Sequence, residues 1–264
     1  MLELIGVTKV FNPGTVNEKV ALDGLNLHIL PGEFVTVIGG NGAGKSTMLN
    51  AVCGTWKPDQ GKILIDGTDV TGMPEYIRAK FLGRVFQDPM MGTAADMEIE
   101  ENLALAARRG KRRGLSWGIR KSERQEYARL LGELGLGLET RMTSKVGLLS
   151  GGQRQAVTLL MASLARPKLL LLDEHTAALD PKTAAKVLEI TEKIVSENHL
   201  TTLMITHNMK DAIAHGNRLI MMNAGKIILD ISGEEKKNLT VPDLLEQFAR
   251  VSGEAEANDK LLLS

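Results

Sequence analysis

The chain has 264 residues, 43% of them apolar, enough for one large domain or a core with a subdomain. Its 32 lysines and arginines are balanced by 32 aspartates and glutamates, which argues against wholesale nucleic-acid binding. One cysteine, Cys53, excludes an internal disulfide framework, and no apolar run approaches the ~20 residues that span a bilayer. Met1–Leu4 has no signal-peptide shape, so a cytosolic chain is expected, docked onto another protein if it works at a membrane.

In chain order, residues 2–7 and 25–30 read as strands, with a turn at Asn12-Pro13-Gly14-Thr15. Phe11, just before that turn, reads either as a half-buried strand end or as an aromatic face for adenine. The apolar, β-branched segment Phe34–Ile38 then feeds Gly39-Gly40-Asn41-Gly42-Ala43-Gly44-Lys45-Ser46-Thr47, followed by a short helix at Met48–Val52. Strand, glycine loop, Gly-Lys-Ser and helix form the context a phosphate-binding loop requires. Glycines let backbone N–H groups approach an anion, and the helix N-terminus adds partial positive charge. Lys45 would reach the β- and γ-phosphates, and the Ser46 hydroxyl would ligate Mg2+.

Lys57–Gly61 breaks the pattern before a short strand at Lys62–Gly67. Residues 74–81 look helical, with Pro74 suited to a first turn. Gly83–Phe86 reads as a strand ending at Gln87-Asp88-Pro89. From about 95 to 165 strand signals vanish, and Glu98–Arg109 and Ser122–Gly135 carry helical periodicity. Ser122–Gln125 has capping-box spacing. Within this stretch Arg108-Arg109-Gly110-Lys111-Arg112-Arg113 puts five basic residues in six, a solvated loop with an anionic membrane surface as the rival reading. Charges of either kind would add little to fold stability.

Leu149-Ser150-Gly151-Gly152-Gln153 opens an apolar helix running to about Ala165. The uniformly apolar Leu169–Leu172 is a buried strand ending in Asp173-Glu174. Those carboxylates stand at the C-terminal edge of a sheet, where ligands sit in open α/β folds. Asp173 would hold Mg2+ directly or through water, and Glu174 would polarise an attacking water. Gln87 and His207, also at strand ends, would bring an amide to metal or water and a hydrogen bond to a γ-phosphate oxygen. Asp180-Pro181 caps the next helix. Thr201–Thr206 is another apolar strand, Arg218–Asp230 a hairpin around Asn223-Ala224-Gly225, and Thr240–Val251 a last helix.

Together these motifs resemble the ATP-binding subunit of ATP-binding-cassette (ABC) transporters, over nearly the whole chain to about 250. Gly39–Thr47 is similar to the Walker A loop, and Leu169–Glu174 to the Walker B strand with its glutamate. Leu149–Gln153 is similar to the LSGGQ signature, the most specific of the set. Gln87 resembles the Q-loop, Ala178-Leu179-Asp180 the D-loop and His207 the switch histidine. In that company Phe11 resembles the adenine-stacking aromatic. The resemblance implies an α/β fold, a P-loop NTPase cassette with a RecA-like core, an antiparallel β subdomain and an inserted helical subdomain at about 90–165. It implies one ABC ATPase domain over 1–250 and a C-terminal tail at 251–264. It further implies ATP and Mg2+ as ligands, with two cassettes sandwiching two ATP molecules. Ser150 and Gly152 of one subunit would face the γ-phosphate held by Lys45 of the other, with Gly151 and Gln153 also among the nucleotide-binding residues. The remaining partners would be a membrane permease and a solute-binding receptor, with no nucleic acid, and the location the cytoplasmic, inner face of the cell membrane.

His175 departs from the family, which usually carries proline there; a neutral variant is the expectation. Gln153-Arg154-Gln155 and Asp173–Thr176 are most similar to a bacterial uptake group with amino acids among its cargo. A two-component exporter is the alternative, and a soluble cassette of translation or repair a more distant one.

Overall fold

The computed structural model describes residues 1–111 and 118–252. In chain order they form β1 (Leu2–Phe11), β2 (Lys19–Ile29), β3 (Phe34–Ile38), α1 (Lys45–Cys53), β4 (Gln60–Ile65), β5 (Thr68–Asp69), α2 (Glu75–Arg78) and β6 (Leu82–Val85). There follow α3 (Ile99–Ala107), α4 (Lys121–Glu133), α5 (Gly151–Leu164), β7 (Leu169–Asp173), α6 (Pro181–Glu197), β8 (Thr201–Ile205), α7 (Met209–Ala214), β9 (Arg218–Asn223), β10 (Lys226–Ser232), α8 (Gly233–Lys237) and α9 (Val241–Ser252). The described residues divide into two compact units, one of Met1–Arg78 with the chain from Leu200 onward, the other of Ala79–His199. No helix among them is long and apolar enough to cross a membrane.

In the first unit β1 pairs antiparallel with both β2 and β4. β3 runs parallel to β8 and β9, and β10 closes antiparallel on β9. β3 and β8 are buried along their whole length, as uniformly apolar central strands should be. The hairpin between β9 and β10 turns on Ala224 and Gly225, both at positive φ (46° and 78°). Leu244 and Phe248 of α9 pack with Ile38, Leu219 and Met221, which binds α9 to the β3–β9 pair.

β1 is longer than the sequence predicts. Its register slips between Leu4 and Val7 and again before Val10, and Gly6 has φ 59°. Such bulges break the period-2 alternation that marks a strand. The predicted helix over 74–81 shrinks to α2: residues 79–81 form a turn into β6, and Phe81 O accepts from the N–H groups of Lys168 and Leu169.

In the second unit β6 and β7 are parallel, with Val85 opposite Leu172. Between them the described chain is helical, α3 to α5, with a single isolated bridge from Glu98 to Lys145. The capping box predicted at Ser122 is not the one used. α4 begins at Lys121, and the Glu123 carboxylate accepts from Arg120 N–H at 2.7 Å.

The basic loop is also corrected. The Arg108 guanidinium donates to Ala104 O and Gly118 O and pairs with Glu123. Arg109 donates to Ala162 O at 3.0 Å, and burial lowers its pKa. Two of the five charges are therefore committed within the unit; Arg112 and Arg113 lie outside the described residues.

Candidate active site

In the first unit the phosphate loop leaves β3 at Gly39. A Cβ there would lie 2.3 Å from Met222 O, and one on Gly44 2.6 Å from Ala21 O. With φ at 151°, 80° and 105°, Gly39, Gly42 and Gly44 adopt backbone that side chains resist. Lys45, the first residue of α1, is only 7% exposed, and its Nζ donates to Gly39 O at 2.6 Å and Gly40 O at 3.2 Å. The loop thus wraps its own ammonium group, and Gly40, Asn41, Ala43, Ser46 and Thr47 complete the turn into the helix. Ala43 O accepts from Gly225 N–H, tying the loop to the β9–β10 hairpin.

His207 follows β8, the parallel neighbour of β3, so both leave the same edge of the sheet. Thr206 N–H donates to Val37 O, and Asn208 caps α7 through the N–H groups of Lys210 and Asp211. Burial raises the Asp211 carboxyl pKa, and His215 and His207 oppose that rise.

Phe11 ends β1. Its ring meets Trp56 edge-to-face with centroids 5.4 Å apart, and Lys9 Nζ sits 5.6 Å from its centroid. Asp59 accepts from Lys9 Nζ and Val10 N–H, so the segment after α1 is stitched to the end of β1. Trp56 has no periodic signature that would have singled it out.

In the second unit Gln87 and Glu174 leave the C-terminal edge of the β6–β7 pair, each two residues past the paired Val85 and Leu172. Asp173 accepts from Arg84 Nη2 at 3.1 Å, with both side chains mostly buried. The guanidinium also lies 4.5 Å from the Phe86 ring centre. Arg84 is a partner of candidate residue Asp173 that sequence reasoning missed, although its register opposite Leu171 makes it detectable once the two strands are paired. Glu174 has φ 46°, a left-handed value uncommon for a residue with a long side chain.

The signature helix α5 begins with a true capping box. Ser150 Oγ accepts from Gln153 N–H at 3.3 Å, and Gln153 Oε1 accepts from Ser150 N–H at 3.2 Å. The Ser-Gly-Gly-Gln spacing carries that signal. A Cβ on Gly152 would lie 2.1 Å from Thr183 Cγ2, so this glycine lets α5 approach α6 closely. Arg154 donates to the carbonyls of Val146, Gly147 and Leu149, pinning the segment before the signature. Asp180 caps α6 as expected, its carboxylate accepting from Thr183 N–H at 3.1 Å.

The first unit thus carries a cationic glycine loop, a histidine and an aromatic, and the second two carboxylates, an amide and a capped helix N-terminus. Ser46 in the first unit, and Gln87 and Asp173 in the second, each carry a hard oxygen donor of the kind Mg2+ takes. Among the described residues no group of three His, Cys, Asp or Glu side chains forms a metal cluster.

A family model described as ABC transporter matches residues 22–177. The tyrosine transport ATP-binding protein of Clostridioides difficile is 47% identical over 254 residues, which cover 94% of this chain and 98% of that protein. The methionine import ATP-binding protein MetN of Corynebacterium diphtheriae is 40% identical over 86% of this chain, which spans 64% of MetN. A solved dimeric ATP-binding cassette in a post-hydrolysis state, bound to ADP and Pi, aligns with TM-score 0.75 and 32% identity over 88% of this chain and 98% of its own. A second cassette, in its ADP conformation, aligns with TM-score 0.76 and 28% identity over 94% of this chain and 98% of its own. With glycine loop, Walker B strand and capped signature helix all in place, this chain belongs to the ABC transporter family, as an ATP-binding subunit that hydrolyses ATP.

Proposed function

We propose that this subunit energises uptake of a small solute of the amino-acid class through a separate permease at the inner face of the cell membrane. The observation that carries the ATPase chemistry is the glycine loop closed around the nearly buried Lys45 ammonium. Support for uptake comes from the relatives, one a tyrosine transport and one a methionine import protein by name.

Lys45 exchanges its two carbonyl partners for β- and γ-phosphate oxygens, a stronger, charge-assisted pairing. Phe11 supports the adenine, held by Trp56. Ser46, Asp173 and Gln87 would hold Mg2+, which would neutralise developing phosphate charge. Glu174 accepts a proton from the attacking water, and His207 donates to the γ-phosphate. Ser150–Gln153 of a second copy present a helix N-terminus to the same phosphate.

Lys45→Ala removes a charged donor worth about 1.5–3 kcal/mol, so ATP affinity should fall about tenfold or more. Equilibrium binding of a fluorescent ATP analogue reads this; wild-type affinity would remove the loop from the site. For the cargo, cells lacking this subunit should lose ATP-dependent uptake of labelled tyrosine or methionine while keeping that of an unrelated sugar. Unchanged uptake of both amino acids would overturn the cargo class and leave the ATPase reading standing.

A further inference from the structure

We infer that His175 is a positioning residue: through its hydrogen bond to Thr191 it fastens Glu174 to helix α6. This rests on the reading of Glu174 as the base that activates water. Both partners of the bond are out of solvent, His175 2% exposed and Thr191 0%. His175 Nε2 lies 3.1 Å from Thr191 Oγ1. The threonine hydroxyl donates to Val187 O at 2.8 Å, one turn earlier on α6. Its proton is therefore committed, and its oxygen can only accept from the imidazole. The network assigns the Nε2–H to His175 and makes the contact directional rather than a space-filling one.

The bond matters because of what stands beside it. Glu174 has φ 46°, a conformation that a non-glycine residue holds only when its surroundings enforce it. On its chain-preceding side Asp173 is held by Arg84 of β6. On its following side His175 is held by Thr191, and the turn closes with Ala177 N–H on Glu174 O at 3.0 Å. α6 is a sound reference, being 17 residues long and capped by Asp180. Glu174 cannot relax toward negative φ without drawing the imidazole off the helix. The tether thus sets where the carboxylate stands, with no demand on the affinity for ATP.

The test is a set of variants of the full chain, each measured for kcat, KM for ATP, ATP affinity and melting temperature. Thr191→Val keeps shape and removes the acceptor; Thr191→Ser keeps the acceptor. His175→Ala removes the donor; His175→Gln returns an N–H donor. We expect kcat to fall ~10-fold in Thr191→Val and His175→Ala, since small misplacements of a reacting group are costly. KM and ATP affinity should stay within about twofold, the signature of an interaction used only in the reaction. Thr191→Ser and His175→Gln should restore kcat to within about threefold, and the double variant His175→Ala/Thr191→Val should be no slower than His175→Ala alone. Wild-type kcat in Thr191→Val would overturn the proposal, as would equal losses in all four single variants that track melting temperature. Thr191→Val, near-isosteric, keeps the test informative if His175→Ala fails to fold. Normal turnover in Glu174→Gln would instead defeat the reading of Glu174 as base, a separate failure.

Discussion

Arg109 shows how a residue's surroundings overrule its composition. In the sequence it is one of five positive charges in a row of six, and a solvated or lipid-facing role follows from that count. In the fold its guanidinium donates to Ala162 O of α5, and burial lowers its pKa. Arg108 likewise caps the end of α3 and pairs with Glu123. Arg109→Ala should therefore destabilise the protein by about 1–3 kcal/mol, the cost of stranding a buried acceptor. Urea denaturation checks this, and a shift indistinguishable from that of Lys111→Ala would contradict it. The same limit applies to His175. It reads as a neutral replacement in sequence because its partner Thr191 is 16 residues away, on a helix whose rotation only the fold reveals. By contrast the candidacy of Lys45, Ser46, Asp173 and Glu174 is legible in the chain alone, because the strand–loop–helix spacing that singles them out is local.

The elements divide along the same line. The buried strands β3, β7 and β8 were plain from uniform apolarity, and α6 from Asp180-Pro181. Only the first part of β1 is legible in the sequence, because its bulges interrupt alternation. α1 hides another long-range device. Arg78, 1% exposed, donates to Ala51 O and Val52 O at the end of α1 and to Met73 O and Thr71 O nearby. One side chain thus satisfies the helix end opposite the phosphate loop. Arg78→Met should cost about 3 kcal/mol of stability through carbonyls left without donors; an unchanged urea midpoint would contradict that role.

Asp180 gives a pH prediction for α6. Hydrogen bonds from Thr183, side chain first and then backbone, hold its pKa below the usual carboxylate value. A lowered folded-state pKa means stabilisation present above the unfolded pKa, about 3.9, and lost as pH falls through the folded value. The melting temperature of Asp180→Ala should thus lie below wild type at neutral pH, and the gap should close below about pH 4. A constant gap across that range would show that the ionised cap contributes nothing.

At the scale of the whole molecule the family and chemistry were readable because the cassette carries its function in short motifs at strand ends and helix starts. Each of these motifs has a local physical cause, whether glycine geometry, a helix N-terminus or a carboxylate at a sheet edge. The supporting residues were not readable. Arg84 on Asp173, Trp56 on Phe11 and Arg154 on the segment before the signature act across 89, 45 and at most 8 positions, through contacts with no periodicity.

Glu174 is proposed to activate the water that attacks ATP bound at the Lys45 loop, and Glu174→Gln is the decisive variant. The amide keeps size and polarity and cannot accept the proton. ATP binding should be retained, turnover should fall ~100-fold or more, and ATP should shift the variant to a dimer on size exclusion, because the bound nucleotide is no longer consumed. Wild-type turnover in this variant would remove Glu174 from the role of base.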